Sequence, residues 1–177
     1  MDSKYTYKDE EQVLVDDFMD IGYMAENVEV LSTCKQKKEL KRSHANKAMT
    51  MFISFPSCEF EDEILYIDEF MFDIQVDINC YLIFNKYDEK SLNLIQKLKK
   101  FELFFDEEDE FGNMYGTKIE QGTLKDKLTK ALFLISKDGA VFYVDMPNVI
   151  ENKFDIDRLH IELNKAYVTY TGVGCHG

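Results

Sequence analysis

The sequence lacks the cysteine and histidine patterns that mark zinc sites or disulfide frameworks. Its four cysteines form no CxxC pair and show no Cys/His spacing typical of zinc; they are Cys34, Cys58, Cys80 and Cys175. Single cysteines in a cytosolic chain are more often small buried side chains than disulfide partners. We therefore expect no metal and no cofactor, and Cys80, inside the apolar run 78–84, is the clearest structural cysteine.

Long apolar runs are also missing. None approaches the roughly 20 residues that a membrane span needs, and the start, MDSKYTYKDEEQ, has no basic region followed by an apolar one. We expect a soluble, cytoplasmic protein. Basic residues are outnumbered, 21 against 34 acids, which leaves a formal net charge of −13. This field repels phosphate backbones and anionic lipid heads, so neither nucleic acid nor a membrane is an expected partner.

The composition is that of a folded protein. At 177 residues the chain is long enough for one domain with its own core. Its content of hydrophobic residues, 45%, excludes a disordered chain.

The chain is organised around residues 49–72. An apolar run rich in strand formers, 49–55, ends at Pro56, which cannot donate to a sheet ladder. The acidic segment 59–63 follows, where the dipole of a starting helix favours negative charge, and Ile64 then opens an apolar series at helical spacing. The pattern predicts a strand, a turn and a helix. Such a turn is the usual place for a nucleophile or an anion site in an α/β protein.

Other elements follow from periodicity and turn chemistry. Strands are predicted at 12–18 (as a strand or hairpin arm), 25–31 (as an edge strand), 77–84 and 101–105, and helices at 92–101, 111–116 (closed by Gly116) and from Asp155 onward. The strongest local signal is a hairpin of 131–135 and 140–144 joined through Asp138-Gly139.

Three remaining segments are polar or small. Residues 35–47 carry six of the 21 basic residues, which favours a solvated loop or short helix over an anion site. The acidic run 106–110 lacks the spacing of a calcium loop and is expected to be a solvated turn. The tail 169–177 should be mobile, and His160 should be a surface or packing histidine.

This element order predicts an α/β fold: a thioredoxin-like three-layer α/β/α sandwich with a mixed central sheet and an N-terminal hairpin extension. We expect the extension at 1–20, the main domain at 21–168 and the flexible tail at 169–177.

Four motifs resemble those of the peroxiredoxins, and within them the thiol peroxidase branch, and the likeness runs from about residue 20 to 165. Residues 21–28 are similar to the family's VGxxAPxF, 52–57 to ISVxPS, 111–116 to FGxxYGV, and 131–145 with Pro147 to AxFVIDxxGxVxYxxxVP. No single motif is specific, but their order supports the fold.

The resemblance also implies where an active site would lie. The family reads PSxDTxxC at the strand–turn–helix unit, with its peroxidatic cysteine at the helix start and an arginine from the later hairpin strand. Here Pro56 matches the proline, Phe60 the threonine and Glu63 the cysteine, while Lys130 stands for the arginine. The family's resolving cysteine, expected between residues 88 and 100, has no counterpart.

These departures remove peroxidase chemistry from position 63. A thiolate cleaves a peroxide O–O bond because it is nucleophilic and can end as a sulfenic acid, and Glu63 has no such chemistry. Phe60 offers no hydroxyl, and Lys130 lacks the planar donor fork of arginine. We expect an ion pair between Glu63 and Lys130 in place of thiolate and guanidinium.

Cys58 is the alternative catalytic residue. It lies in the turn and could be activated by the helix start and Lys130, although the surrounding acids disfavour a thiolate. Its resolving partner would be Cys34, Cys80 or Cys175. The adjacent Cys175 and His176 cannot activate each other usefully, and we expect no chemical role for them.

Three functions therefore remain open. The first is a binding or regulatory scaffold that has lost peroxidase activity and pairs as a homodimer. The second is a thiol-dependent antioxidant peroxidase or reductase that uses Cys58, with thioredoxin as partner. The third is an unrelated role on a thioredoxin fold, with the acidic segment 106–110 as a docking surface for a basic protein.

Overall fold

The computed structural model describes residues 4–15, 18–43 and 48–170, and for residues 169 and 170 it describes the backbone only. Its strands are β1 Tyr5–Tyr7, β2 Glu10–Leu14, β3 Val28–Ser32, β4 Lys37–Leu40, β5 Met49–Ser54, β6 Ile78–Phe84, β7 Glu102–Phe105, β8 Ile119–Gln121, β9 Ala131–Ile135 and β10 Val141–Asp145. The α-helices are α1 Glu61–Asp73, α2 Glu110–Met114 and α3 Ile156–Tyr170. Short 3-10 helices span Cys58–Phe60 and Glu89–Leu94.

The central sheet is mixed. Among the described residues it has seven strands in the order β10-β9-β5-β6-β7-β3-β4. Strands β5, β6 and β7 run parallel to one another, and the outer pairs are antiparallel. All six residues of β5 are buried, as expected for a strand covered on both faces.

Helices cover both faces of this sheet. Met51 and Ile53 of β5 belong to the core beneath α1 and α3, whereas Phe52 between them packs on the other face against Phe111 and Tyr115 beside α2. This alternation follows from the two-residue period of a strand. The predicted three-layer thioredoxin-like fold is confirmed.

The N-terminal hairpin is also present. Strands β1 and β2 pair antiparallel, and β8 joins them in a second, small sheet that the sequence did not predict. Gln12 is buried although it is polar. Its side-chain amide is satisfied there, because its oxygen accepts the Leu124 N–H and its nitrogen donates to Thr123 Oγ1. These bonds hold the hairpin to the loop after β8.

Two predictions at the sheet edge were wrong. Strand β3 does not form the edge, because β4 pairs outside it with Val28 opposite Leu40 and Glu29 opposite Glu39. Of the segment 35–47 the structure describes 35–43, and because this part contains β4 it is not only a solvated loop or short helix. The sequence of β4, KKEL, has three exposed residues and one buried, Leu40, so its periodicity gave little signal.

The helix predicted at 92–101 was wrong as well. The chain there forms the 3-10 helix Glu89–Leu94 and turns. The buried carboxylate of Asp68 on α1 accepts the backbone N–H groups of Lys99, Lys100 and Phe101 at 2.8–2.9 Å. These amides are directed at another element, so they cannot continue a helical ladder.

The acidic run 106–110 is not wholly solvated. Asp106 is completely buried, and its two carboxylate oxygens accept the N–H groups of Phe111 and Gly112 at the start of α2. Its remaining members are exposed or half-buried, so only part of the predicted solvated turn is correct.

Several local predictions are confirmed. The hairpin of β9 and β10 turns at Gly139, which has a φ of +93°, and α2 is followed by Gly116 with a φ of +72°. Asp155 caps α3 by accepting the Arg158 N–H. His160 is exposed and contacts Phe70 edge-on. Helix α3 includes residues 169 and 170, and the rest of the expected tail, with Cys175 and His176, lies outside the described residues.

Within the described ranges, no helix combines the length and the apolar character that crossing a membrane requires.

Candidate functional site

The candidate site lies where β5 ends and α1 begins. Ser57 caps the short 3-10 helix by accepting the Glu59 N–H, and α1 starts directly after that helix at Glu61. Ser54, the last residue of β5, donates to the carbonyl oxygen of Thr129 at 2.8 Å. That bond places Lys130, the next residue, beside the first turn of α1.

Glu63 and Lys130 form the predicted ion pair. The Lys130 Nζ donates to Glu63 Oε1 and to the carbonyl oxygen of Asn152. The other oxygen, Oε2, accepts the Phe154 backbone N–H at 2.8 Å. The Lys130 side chain is fully buried, and that of Glu63 is 8% exposed. Both carboxylate oxygens are thus engaged inside the protein.

Aromatic rings surround the buried ammonium. The centroids of Phe55, Phe60 and Phe154 lie 5.7, 5.6 and 5.1 Å from the Lys130 Nζ. Phe55 and Phe154 also contact each other edge-on, with centroids 5.6 Å apart. An ammonium at the face of such rings is attracted by their quadrupoles, and more strongly when water is excluded. Phe60, which the resemblance aligns with the family's threonine, is therefore part of the cage around the cation.

Burial controls the electrostatics of this pair. It lowers the pKa of the Lys130 ammonium by disfavouring the charged form, while the hydrogen bond to Glu63 and its negative charge oppose that shift. Burial likewise raises the pKa of the Asp145 carboxyl, although the Asp155 N–H and the charge of Lys130 act against it. The charge of Lys130 thus acts on the pKa of Asp145 as well as pairing with Glu63.

Cys58 does not take part in this arrangement. It is partly buried and packs against the core beneath α1. In the part of the chain that the structure describes, its sulfur has no hydrogen-bonding or ionic partner, and all the cysteines found there are free. No activating base is therefore placed against this thiol.

The other cysteines differ in environment. Cys34 is exposed in the turn between β3 and β4. Cys80 is buried in β6 opposite Met51, and burial raises the pKa of its thiol to about 12. The predicted structural role of Cys80 agrees with both observations. Cys175 lies outside the described residues.

A cavity of about 430 Å³ adjoins Glu63. It is open to solvent and lies between α1 and residues 153–157, which span the start of α3. Sequence reasoning missed the contribution of residues 152–157, including the Asn152 carbonyl and the Phe154 N–H that complete the ion pair. Backbone groups leave no trace in residue identity, so only Phe154, an apolar residue just before a helix cap, carried a signal.

The described residues contain no group of three or more His, Cys, Asp or Glu side chains arranged to hold a metal ion.

The motifs that carried the resemblance meet in space. Tyr115, in the motif 111–116, donates its hydroxyl to the Glu26 carbonyl at 2.6 Å and accepts the Glu26 N–H. A side chain at position 112 would be crowded, because a Cβ added to Gly112 would lie 3.0 Å from side-chain atoms of Leu128 and Lys118. The motif residues therefore serve packing around the sheet.

The architecture and the strand–turn–helix site are those of the fold of peroxiredoxins and thiol peroxidases. Among solved structures, a peroxiredoxin-like protein from Aquifex aeolicus matches with a TM-score of 0.82 at 20% identity, over 94% of this chain and 98% of that one. A thiol peroxidase from Chromobacterium violaceum gives 0.79 at 18% identity, with the same coverage. A mitochondrial 2-Cys peroxiredoxin from Plasmodium falciparum gives 0.68 at 13%, over 86% and 96%.

No protein-family model matches the sequence, and no curated protein matches it. The structural likeness, at 13–20% identity, shows the fold. The predicted resemblance to peroxiredoxins is confirmed at that level.

Proposed function

We propose that this protein is a peroxiredoxin-fold protein without peroxidase chemistry, which acts as a binding or regulatory scaffold. The observation that carries the proposal is the buried ion pair of Glu63 and Lys130, since the resemblance aligns position 63 with the family's reactive cysteine. Fold likeness alone does not transfer function, so the residues at the site decide.

The chemistry at position 63 supports this proposal. Reduction of a peroxide needs an atom that attacks oxygen and is itself oxidised, and a carboxylate has no such oxidation step. Both oxygens of Glu63 already accept hydrogen bonds, from Lys130 and from the Phe154 N–H. A peroxide would find neither a nucleophile nor a free cation there.

The pair also has a structural consequence that suits a scaffold. It joins α1, the start of β9 and residues 152–154, three segments far apart in sequence. Removing one partner of a buried pair leaves an uncompensated charge and typically costs about 3 to 5 kcal/mol. The pair therefore holds the first turn of α1 in one position.

The alternative is catalysis by Cys58. Its place in the turn favours it, but in the part of the chain that the structure describes its sulfur has neither a hydrogen-bonding nor an ionic partner. A cytoplasmic location remains a prediction. A homodimer and a thioredoxin or other basic partner likewise remain predictions, which come from the resemblance and from charge.

The test is peroxide consumption by the purified protein with thioredoxin as reductant. Hydrogen peroxide and cumene hydroperoxide would be supplied to wild type, Cys58→Ser and Cys34→Ser, beside an active thiol peroxidase. We expect no consumption above the buffer rate in all three forms. Turnover that is lost in Cys58→Ser but kept in Cys34→Ser would replace the scaffold proposal with the enzyme.

Trapping gives a second readout that needs less protein. After peroxide treatment, dimedone labelling and mass spectrometry would reveal a sulfenic acid on Cys58. We expect Cys58 to be labelled no more than Cys34, which is exposed and has no catalytic surroundings.

A further inference from the structure

The cavity beside Glu63 has the size and walls of a ligand site. Its volume, about 430 Å³, falls within the range of small-molecule pockets. The apolar part of its lining comes from Tyr66 and Ile67 of α1 and from Phe154 and Ile156. Ile67 and Phe154 are buried, whereas the Tyr66 side chain is 62% exposed and stands at the rim.

Acids outnumber bases around this cavity. Glu63, Asp155 and Asp157 line it together with one cation, Lys153. Lys130 neutralises Glu63 from the protein side, which leaves two carboxylates against one ammonium. The local excess has the same sign as the net charge of −13, so both the cavity and the whole protein attract cations.

The start of α3 does not reverse this preference. A helix N-terminus favours anions when its N–H groups are free. Here the Asp155 carboxylate accepts the Arg158 N–H at 2.9 Å, and Asp157 lies in the first turn. The positive end of the helix is therefore already matched by two carboxylates of the chain.

Glu63 also has unused acceptor capacity. Each carboxylate oxygen has two lone pairs, and each oxygen of Glu63 accepts one hydrogen bond, from Lys130 or from the Phe154 N–H. The exposed Tyr66 ring adds an aromatic face that attracts an ammonium. A cation in the cavity thus has carboxylate and aromatic partners, with apolar surface beside them.

We infer that this cavity binds a small organic cation with an apolar body, such as a primary amine that carries an aromatic ring. The ammonium lies against the carboxylates, and the apolar body packs on Tyr66 and Ile67. The inference rests on the proposed function, because it names the ligand class of the binding scaffold.

The test compares three probes of similar shape and different charge. Phenethylamine (a cation), 2-phenylethanol (neutral) and phenylacetate (an anion) would be titrated into isotope-labelled full-length protein, with amide chemical shifts followed by NMR. We expect phenethylamine to bind at least about fivefold more tightly than the alcohol, and phenylacetate to bind most weakly. The shifts should centre on residues 63–67 and 153–157.

Two variants locate the charge and the wall. Asp157→Asn should weaken the binding of phenethylamine about threefold and leave the binding of 2-phenylethanol unchanged, because only the cation loses an electrostatic attraction. Tyr66→Ala should weaken the binding of both probes. Each residue is exposed, so folding should be preserved. Glu120→Gln, an exposed acid on β8, is the matched control and should change nothing.

Other outcomes overturn the inference. Equal binding of amine and alcohol would make the cavity merely apolar, and tighter binding of phenylacetate would make it an anion site. Shifts elsewhere, or none, would also contradict it. The peroxide assay is independent of these titrations. Peroxide turnover together with amine binding would contradict only the scaffold proposal. The absence of both turnover and amine binding would contradict only the inference about the cavity.

Discussion

Glu63 Oε2 accepts the backbone N–H of Phe154 at 2.8 Å, which joins the first turn of α1 to the segment that leads into α3. The opposite oxygen of the same carboxylate accepts a hydrogen bond from Lys130. Position 63, which the resemblance aligns with the reactive cysteine of peroxiredoxins, is thus occupied by a side chain with partners on both oxygens. Three predictions about stability follow from this and two related carboxylates.

Breaking the ion pair from either side should destabilise the protein strongly. Lys130→Met leaves a buried, unpaired Glu63, and Glu63→Leu leaves a buried ammonium. Each should lower the free energy of unfolding by about 3 to 5 kcal/mol, measured by urea denaturation at pH 7. The double variant Glu63→Leu/Lys130→Met should recover most of the loss, because no buried charge remains.

The double variant also controls for packing. If the free energy of unfolding of both single variants stays within about 1 kcal/mol of wild type, removing one partner leaves no costly buried charge, and the structural role assigned to the pair is wrong. If the double variant is as unstable as the singles, the loss comes from altered packing among Phe55, Phe60 and Phe154.

Asp68 should be the residue that anchors the segment before β7. Asp68→Ala removes the acceptor of three consecutive backbone N–H groups, Lys99, Lys100 and Phe101, and should cost at least about 2 kcal/mol. Hydrogen exchange at these three amides should accelerate more than elsewhere. Asp73→Ala, at the exposed end of the same helix, is the matched control. Uniform acceleration over the whole chain would contradict a local anchoring role.

Asp106 should make the protein less stable above pH 6. Burial raises the pKa of its carboxyl from 3.8 to about 6. The folded state therefore binds this proton more tightly than the unfolded state. The stabilising contribution is complete below pH 3.8 and is lost as pH rises through about 6, a change of about 3 kcal/mol.

The pH dependence of Asp106→Asn isolates this effect from other carboxylates. The variant cannot ionise, so its free energy of unfolding should fall less between pH 5 and 7 than that of wild type. It also loses an acceptor for Gly112 or Phe111, which lowers stability equally at every pH. Parallel curves for the two proteins would show that Asp106 does not titrate in this range.

Local chemistry determined much of the fold. The end of β5 before Pro56, the turn at Asp138-Gly139 and the cap at Asp155 depend on backbone preferences of a few adjacent residues. The order of the predicted elements then indicated the thioredoxin-like sandwich, and the order of the four motifs supported it. The pairing of Glu63 with Lys130 was also predictable, although only because the resemblance aligned two positions that periodicity does not connect.

Tertiary structure alone decided the rest. The helix pattern at 92–101 fails because Asp68, about 30 residues earlier, takes the amides that a helix would use. Asp106 belongs to an acidic run whose composition is typical of a solvated turn, but its side chain is buried against the start of α2. The Phe154 N–H and the aromatic cage close the site at position 63 through contacts between distant segments. Residue identity determines which hydrogen bonds and charges a side chain can offer. When its partners are backbone groups far away in sequence, only the folded chain determines which groups they are.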